Sequence, residues 1–111
     1  MKVGWRGRNR GVWKRANDLF GSKLVDIILF GSFSRGDYNN DSDIDIMILA
    51  DLKQEQFPQY REKTDELSGD LSLKYEITVS IKLKDSNTVY RYKDSLPFYS
   101  NVLKEGVSVN V

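Results

Sequence analysis

The sequence contains neither cysteine nor histidine. Without cysteine the chain has no disulfide framework, no thiolate zinc site and no thiol nucleophile. Without histidine, the side chains best placed to accept a proton or to bind a metal ion are carboxylates. Carboxylate oxygens favour hard cations, so the composition directs any metal-site hypothesis toward Mg²⁺.

Long hydrophobic runs are also missing. No segment approaches the roughly 18 consecutive apolar residues that a membrane span requires. The basic start, MKVGWRGRNRG, is not followed by an apolar segment, so we expect no secretory signal. The chain of 111 residues contains no repeat and no low-complexity linker. We therefore expect a single cytoplasmic domain over residues 1–111 that does not bind a membrane.

The formal net charge of +1 conceals an uneven distribution of charge. Residues 1–20 contain six basic side chains and one acid, whereas residues 37–70 contain ten acids and three bases. Residues 1–10 are expected to form a basic, flexible arm. Such an arm is either a solvated terminus or a segment that binds phosphates, a partner protein or, as the weakest reading, nucleic acid.

The first half of the chain contains the sequence patterns of one helix and two strands. Apolar residues at helical spacing (Val12, Ala16, Leu19 and Phe20) predict a helix that begins near residue 11 and ends at Gly21. Residues 24–30, LVDIILF, have the branched apolar composition of a buried strand. After a turn-rich segment, Ile44, Ile46 and Ile48 alternate with Asp43, Asp45 and Met47, which predicts a strand with one apolar face.

The second half predicts further helices and strands. Asp51 is expected to cap a helix that begins near Lys53 or Pro58 and ends near Leu73. Residues 74–84 alternate as a strand, with Glu76 on its polar face. Residues 85–93 are a connection or short helix, a helix extends from Ser95 or Pro97 to Glu105, and residues 107–111 form an edge strand. This order predicts a small α+β domain with helices packed on a mixed sheet.

A candidate phosphate-binding turn follows the first strand. Gly31 and Gly36 bracket the segment Ser32 to Arg35, in which a hydroxyl and a guanidinium accompany backbone amides. A glycine-serine turn after a strand is common, so this segment alone is weak evidence. The spacing of the two glycines matches a P-loop, but Asp37 and Tyr38 stand where that motif requires lysine and serine or threonine.

A cluster of aspartates follows the turn. Asp41, Asp43 and Asp45 match the first three ligand positions of an EF-hand loop. That loop needs glycine at its sixth position and glutamate at its twelfth, and here those residues are Ile46 and Leu52. The calcium-loop hypothesis is therefore rejected.

The pair Asp43 and Asp45 projects from one face of its predicted strand. Two neighbouring carboxylates repel each other, and a divalent cation between them offsets that repulsion. An exposed polar strand face is the alternative interpretation. Glu76, on the polar face of a later strand, would complete three carboxylates able to hold one or two Mg²⁺ ions, or would accept a proton. The alternative interpretation is that the Glu76 side chain is simply exposed to solvent.

These residues together resemble a known family. Leu29-Phe30-Gly31-Ser32, then Arg35-Gly36, then Ser42-Asp43-Ile44-Asp45-Ile46 are similar to the minimal nucleotidyltransferases of the DNA polymerase β superfamily, whose signature is Gly-Ser, about ten residues, then Asp-x-Asp. The similarity extends from about Val25 to the C-terminus. It implies the polymerase β-like nucleotidyltransferase fold.

The resemblance also implies roles for individual residues. Gly31 and Ser32 would hold the triphosphate of ATP, with Arg35 and Ser42 near the phosphates. Asp43 and Asp45 would bind Mg²⁺. Glu76 stands where relatives often have aspartate, which makes it the implied third catalytic acid and metal ligand.

Small members of this family are often antitoxins paired with a HEPN-type ribonuclease toxin. The resemblance therefore implies an enzyme that transfers AMP from ATP to a hydroxyl of its partner toxin. A catalytically quiet antitoxin that neutralises its partner by binding is the alternative. The sequence does not determine the oligomeric state.

Overall fold

A computed structural model describes residues 3–30, 44–76 and 78–108. The elements are α1 (Val3–Phe20), β1 (Leu24–Phe30), β2 (Ile44–Ala50), α2 (Phe57–Tyr75), β3 (Val79–Asp85), α3 (Ser86–Tyr92), α4 (Pro97–Glu105) and β4 (Val107–Ser108). Short 3₁₀ turns, Gly21–Lys23 and Gln54–Gln56, precede β1 and α2. The predicted α+β class is confirmed.

The four strands form one mixed sheet in the order β3-β2-β1-β4. Strands β1 and β2 are antiparallel, as are β1 and β4, whereas β2 and β3 are parallel. A parallel pair needs a long crossover connection, and α2 provides it. The register places Asp45 of β2 between Phe30 of β1 and Ser80 of β3.

Helices pack on both faces of the sheet. The residues that contact each set of helices follow from the alternation of side chains along the strands. On one face the buried residues of β2 (Ile44, Ile46, Ile48 and Ala50) pack with those of α1 (Val12, Ala16 and Phe20) and α2 (Leu67 and Leu71). On the other face Met47 and Leu49 pack with Ile28, Val89 and Val102. The predicted apolar face of β2 is therefore confirmed, and Asp45 belongs to the second face.

Helix α1 is longer than its apolar spacing predicted. It begins at Val3 rather than near residue 11, so residues 3–10, expected to form a flexible arm, are its first turns. The predicted end is correct, because Gly21 adopts a φ of +55°, a conformation that a side chain disfavours. Among the residues that the structure describes, no helix combines the length and the hydrophobicity that a membrane span requires.

The N-terminus of α2 differs from the prediction in how it is capped. Asp51 does not cap this helix; its carboxylate accepts a hydrogen bond from the Asn87 side chain at 2.9 Å. The N-cap residue of α2, Gln56, makes no side-chain capping hydrogen bond to this helix. Its side chain accepts from the Lys53 amide at 2.9 Å and so caps the preceding 3₁₀ turn, Gln54–Gln56. Pro58 occupies the first turn, where its missing amide costs nothing.

The C-terminus of α2 corrects the predicted strand over residues 74–84. The helix continues to Tyr75, and β3 begins only at Val79. Leucine and lysine near the end of α2 are good helix formers, and the buried Leu67 and Leu71 keep helical spacing into the last turns. Two serines of α2 then fix the start of β3. The Ser72 hydroxyl accepts from the Val79 amide at 2.9 Å, and the Ser68 hydroxyl donates to the Val79 carbonyl.

The C-terminal elements agree with the sequence. Asp85 caps α3 by accepting from the Thr88 amide at 3.3 Å and from its hydroxyl at 2.9 Å. Helix α4 begins at Pro97 and ends at Glu105. The expected edge strand is confirmed for Val107–Ser108, which pairs with β1; residues 109–111 lie outside the described part of the chain.

Candidate functional site

Seven residues were predicted to form a site, and two of them fall within the described structure. Asp45 lies on β2 and Glu76 follows α2. The other five lie outside the described residues (Gly31, Ser32, Arg35, Ser42 and Asp43). The residues that flank this segment, Phe30 and Ile44, lie at the same end of the antiparallel pair β1 and β2. The segment with the predicted phosphate-binding turn is thus attached at the end of the sheet that contains Asp45.

Asp45 is a half-buried carboxylate on the second face of the sheet. Its chain neighbours Ile44 and Ile46 are fully buried on the opposite face. These two side chains fix the direction of Asp45, because successive residues of a strand point to opposite faces. The predicted orientation of Asp45 is therefore confirmed.

Glu76 has a different position from the one predicted. It is an exposed residue at the C-cap of α2 with a φ of +53°, not a residue on the face of β3. The residue of β3 that pairs with Asp45 is Ser80. Glu76 nevertheless lies at the same end of the sheet, since the carbonyl of Thr78, two residues later, accepts the Ile44 amide at 2.8 Å.

The donor chemistry at this end of the sheet fits a hard cation. Asp45 offers carboxylate oxygens and Ser80 a hydroxyl, and both are oxygen ligands of the kind that Mg²⁺ accepts. Among the described residues, which exclude Asp43, no three acidic side chains are grouped closely enough to hold a metal ion. A metal site here requires Asp43 beside Asp45, as the sequence predicts.

A pair of aromatic residues beside Asp45 was not predicted from the sequence. Phe30 is the β1 neighbour of Asp45. The ring of Phe98, at the start of α4, meets the Phe30 ring edge-on, with the centroids 6.0 Å apart and the planes at 80°. Both residues belong to segments that resemble the family, but no spacing in the sequence indicates that residues 68 positions apart are in contact.

A cavity of about 430 Å³ lies elsewhere, at the C-terminal end of the parallel pair. Its walls include Leu83 and Asp85, whose partners in β2 are three to five residues beyond Asp45, about 10–17 Å along the strand. One carboxylate oxygen of Asp85 is buried without a hydrogen-bond partner. This cavity does not coincide with the predicted site.

Tyr90 of α3 is a titratable group with a perturbed pKa. Partial burial raises the pKa of the Tyr90 hydroxyl above its ordinary value, and the negative charge of Asp26 raises it further. Both effects disfavour the charged phenolate. Tyr90 is therefore neutral over the physiological pH range, as ordinary tyrosines are, and it is not a candidate catalytic base.

Comparison with known proteins agrees with this architecture. The model of the family "Nucleotidyltransferase domain" matches residues 10–108. Two proteins of Methanocaldococcus jannaschii, both provisionally named protein adenylyltransferases, are similar in sequence. One is 36% identical over 84 residues, which cover 76% of this chain and 76% of the relative. The other is 32% identical over 96 residues, which cover 86% of this chain and 89% of the relative.

A solved structure has the same fold. It is a crystal structure of a toxin–antitoxin with AMP-PNP, and it superposes with a TM-score of 0.62 at 24% sequence identity. The match covers 92% of this chain and 72% of the matched chain. The family match spans both strands that flank the Gly-Ser and Asp-x-Asp motifs, so the resemblance to minimal nucleotidyltransferases is confirmed. The chain belongs to the nucleotidyltransferase domain family.

Proposed function

We propose that this protein is a Mg²⁺-dependent enzyme that transfers AMP from ATP to a hydroxyl group of a partner protein. The observation that carries the proposal is the position of Asp45. Two buried isoleucines direct Asp45 onto the sheet face beside Phe30, the last residue of β1, which Gly31 and Ser32 follow in the sequence. The membership of the chain in the nucleotidyltransferase domain family supports the same chemistry.

Each predicted residue has a role in this proposal. The backbone at Gly31 and the hydroxyl of Ser32 bind the phosphates of ATP, and Arg35 and Ser42 add a positive charge and a hydroxyl. Asp43 and Asp45 hold Mg²⁺, for which their oxygen donors are suited. The ion, when bound, neutralises charge on the phosphates as the transfer proceeds.

The proposed reaction is a displacement at the α-phosphorus of ATP. The acceptor oxygen forms a bond to that phosphorus while its bond to the oxygen that bridges to the β-phosphate breaks. Pyrophosphate leaves with the electron pair of the broken bond. The hydroxyl proton passes to a base, for which Glu76 is the candidate because it is an exposed carboxylate at the same end of the sheet.

The nature of the partner is proposed from the relatives. The two similar proteins are provisionally named protein adenylyltransferases, which supports a protein acceptor. The solved structure of the same fold is a toxin–antitoxin with AMP-PNP, which supports an adenine nucleotide and a toxin partner. We propose that the partner is a HEPN-type toxin, acting as acceptor in the cytoplasm.

The proposal is tested by incubating the chain with Mg²⁺, ATP labelled at its α-phosphate, and the protein encoded next to it. We expect the label to appear on that protein and not on the chain itself. ATP labelled at the γ-phosphate is the control, because its label leaves with pyrophosphate. No transfer, under conditions in which the two proteins form a complex, would contradict the proposal.

A second function is favoured by one observation. The β3 position beside Asp45 is Ser80 rather than an acid, which fits a catalytically quiet antitoxin that neutralises its partner by forming a complex. This alternative predicts that a variant with both Asp43→Asn and Asp45→Asn still neutralises the partner in cells. Loss of neutralisation by a variant that still binds the partner would favour the enzyme.

A further inference from the structure

The end of β1 places an aromatic ring beside Asp45. Phe30 and Asp45 are paired across the antiparallel strands β1 and β2, whose backbones lie about 5 Å apart. The two residues occupy the same face of the sheet, because side chains at paired positions point the same way. Phe30 is half-buried and packs against the core beneath α4.

A second ring, that of Phe98, contacts Phe30 and enlarges this aromatic surface. Phe98 meets Phe30 edge-on at 6.0 Å and contacts Tyr99 at 5.8 Å, so its position is fixed by two neighbouring rings. It lies in the first turn of α4, directly after Pro97. Despite these contacts, 44% of Phe98 is exposed. A large apolar ring that is held in place and yet solvent-accessible is suited to contact a ligand.

We infer that Phe98 stacks against the base of the nucleoside triphosphate whose phosphates are bound at Asp45. This inference rests on the proposed function and adds to it the residue that binds the base. Phe98 contacts Phe30, which is itself the neighbour of Asp45. The ribose, which links the phosphates to the base, would lie between Asp45 and Phe98. Aromatic side chains bind bases through their π faces, and this binding tolerates different bases.

The contact with Phe30 distinguishes Phe98 from the other exposed apolar residues nearby. Tyr90, Tyr92 and Leu96 are exposed to a similar extent, in α3 and the connection to α4. In the part of the chain that the structure describes, Phe98 is the member of this group whose ring contacts the β1 neighbour of Asp45. A surface for a partner protein would need the group as a whole, whereas a base needs one ring close to the phosphates.

The test compares the binding of two ligands by calorimetry in the presence of Mg²⁺. ATP contains both base and phosphates, whereas inorganic tripolyphosphate contains the phosphates alone. We expect Phe98→Ala to weaken ATP binding about tenfold and to change tripolyphosphate binding less than twofold. Phe98→Tyr keeps a ring and should bind ATP as the wild type does, whereas Phe98→Leu keeps only the bulk and should resemble Phe98→Ala.

Tyr92→Ala is the matched control, because Tyr92 is an aromatic residue with 45% exposure at the end of α3. It should leave the binding of both ligands unchanged. Unaltered ATP binding by Phe98→Ala, or an equal loss for both ligands, would overturn the role of Phe98. Unaltered ATP binding combined with weaker binding of the partner protein would assign Phe98 to docking instead. Failure of the wild type to bind either ligand would instead reject the proposed function, and this inference with it.

Discussion

Asp45 and Ser80 are side by side on the parallel strands β2 and β3, with their Cα atoms in register. The hydroxyl of Ser80 therefore occupies the position on the sheet where a third carboxylate would lie closest to Asp45. Glu76, which the sequence places in that role, is four residues earlier in the chain and caps α2. The proposed metal ligands are therefore Asp43 and Asp45, and the residue paired with Asp45 on β3 is Ser80, not Glu76.

Replacing Ser80 with an acid should create a stronger metal site. In Ser80→Asp, a second carboxylate beside Asp45 would lower stability without metal through charge repulsion, and Mg²⁺ would relieve it. We expect a lower Tm than the wild type in EDTA and a larger rise in Tm on adding Mg²⁺. Ser80→Asn, which adds no charge, is the control. Equal responses of the two variants to Mg²⁺ would contradict the adjacency of Ser80 to the metal.

Replacing Glu76 separates the roles of base and metal ligand. Glutamine keeps the length of the side chain and the same left-handed backbone conformation, so Glu76→Gln should fold normally. If Glu76 accepts the proton, kcat should fall by on the order of a hundredfold while the affinity for Mg²⁺ and ATP stays unchanged. Glu66→Gln, on the exposed side of α2, is the control. Weaker Mg²⁺ binding would instead make Glu76 a metal ligand.

Much of the fold was predictable because its patterns are local. The apolar run LVDIILF predicted β1, and the alternation at Ile44, Ile46 and Ile48 predicted β2, because both patterns are formed by residues that are close in the sequence. The end of α2 was not predictable in this way. Tyr75 and Glu76 continue the alternation of β3 in the sequence. The strand begins instead at Val79, whose amide donates to the Ser72 hydroxyl and whose carbonyl accepts from the Ser68 hydroxyl.

In the candidate site, too, the features set by local patterns were predictable and those set by contacts between distant segments were not. The direction of Asp45 followed from its position between two buried isoleucines. The pairing of Asp45 with Ser80, and the contact of Phe30 with Phe98, depend on how distant segments meet, which no single-chain spacing encodes. The predicted roles of Gly31, Ser32 and Arg35 stay predictions, because these residues lie outside the described part of the chain.

Gly106 should be intolerant of any side chain. A Cβ there would overlap the Ile28 side chain and would lie 2.5 Å from the Val102 carbonyl oxygen, so α4 or β1 would have to move. We expect Gly106→Ala to lower the free energy of unfolding by about 1–3 kcal/mol in urea titration. Gly69→Ala is the matched control, since a Cβ at this α2 position meets no atom within 4 Å. Gly69→Ala should raise the free energy of unfolding by about 0.5–1 kcal/mol. A loss of stability in Gly69→Ala equal to that in Gly106→Ala would contradict the steric explanation for Gly106.

Tyr90 should ionise at higher pH than an ordinary tyrosine. Burial and then Asp26 raise its pKa, so the folded state favours the neutral phenol. Its contribution to stability is therefore complete below the unfolded pKa of about 10 and is lost as the pH rises through the folded pKa. The difference in tyrosinate absorbance between wild type and Tyr90→Phe measures this titration. Asp26→Asn should lower the pKa only partly, because burial is the larger cause; a complete return to the ordinary value would contradict that order.

Asp45 is the residue proposed to bind the metal for nucleotidyl transfer. The most direct measurement is the intact mass of the partner protein after incubation with Mg²⁺, ATP and either wild type, Asp45→Asn or Asp70→Asn. Asp70 is a suitable control, because it forms an exposed ion pair with Arg15 at 3.0 Å and its loss should cost little. We predict that wild type and Asp70→Asn add AMP to the partner and that Asp45→Asn lowers the rate at least about a hundredfold. Transfer by Asp45→Asn at the wild-type rate would contradict the account.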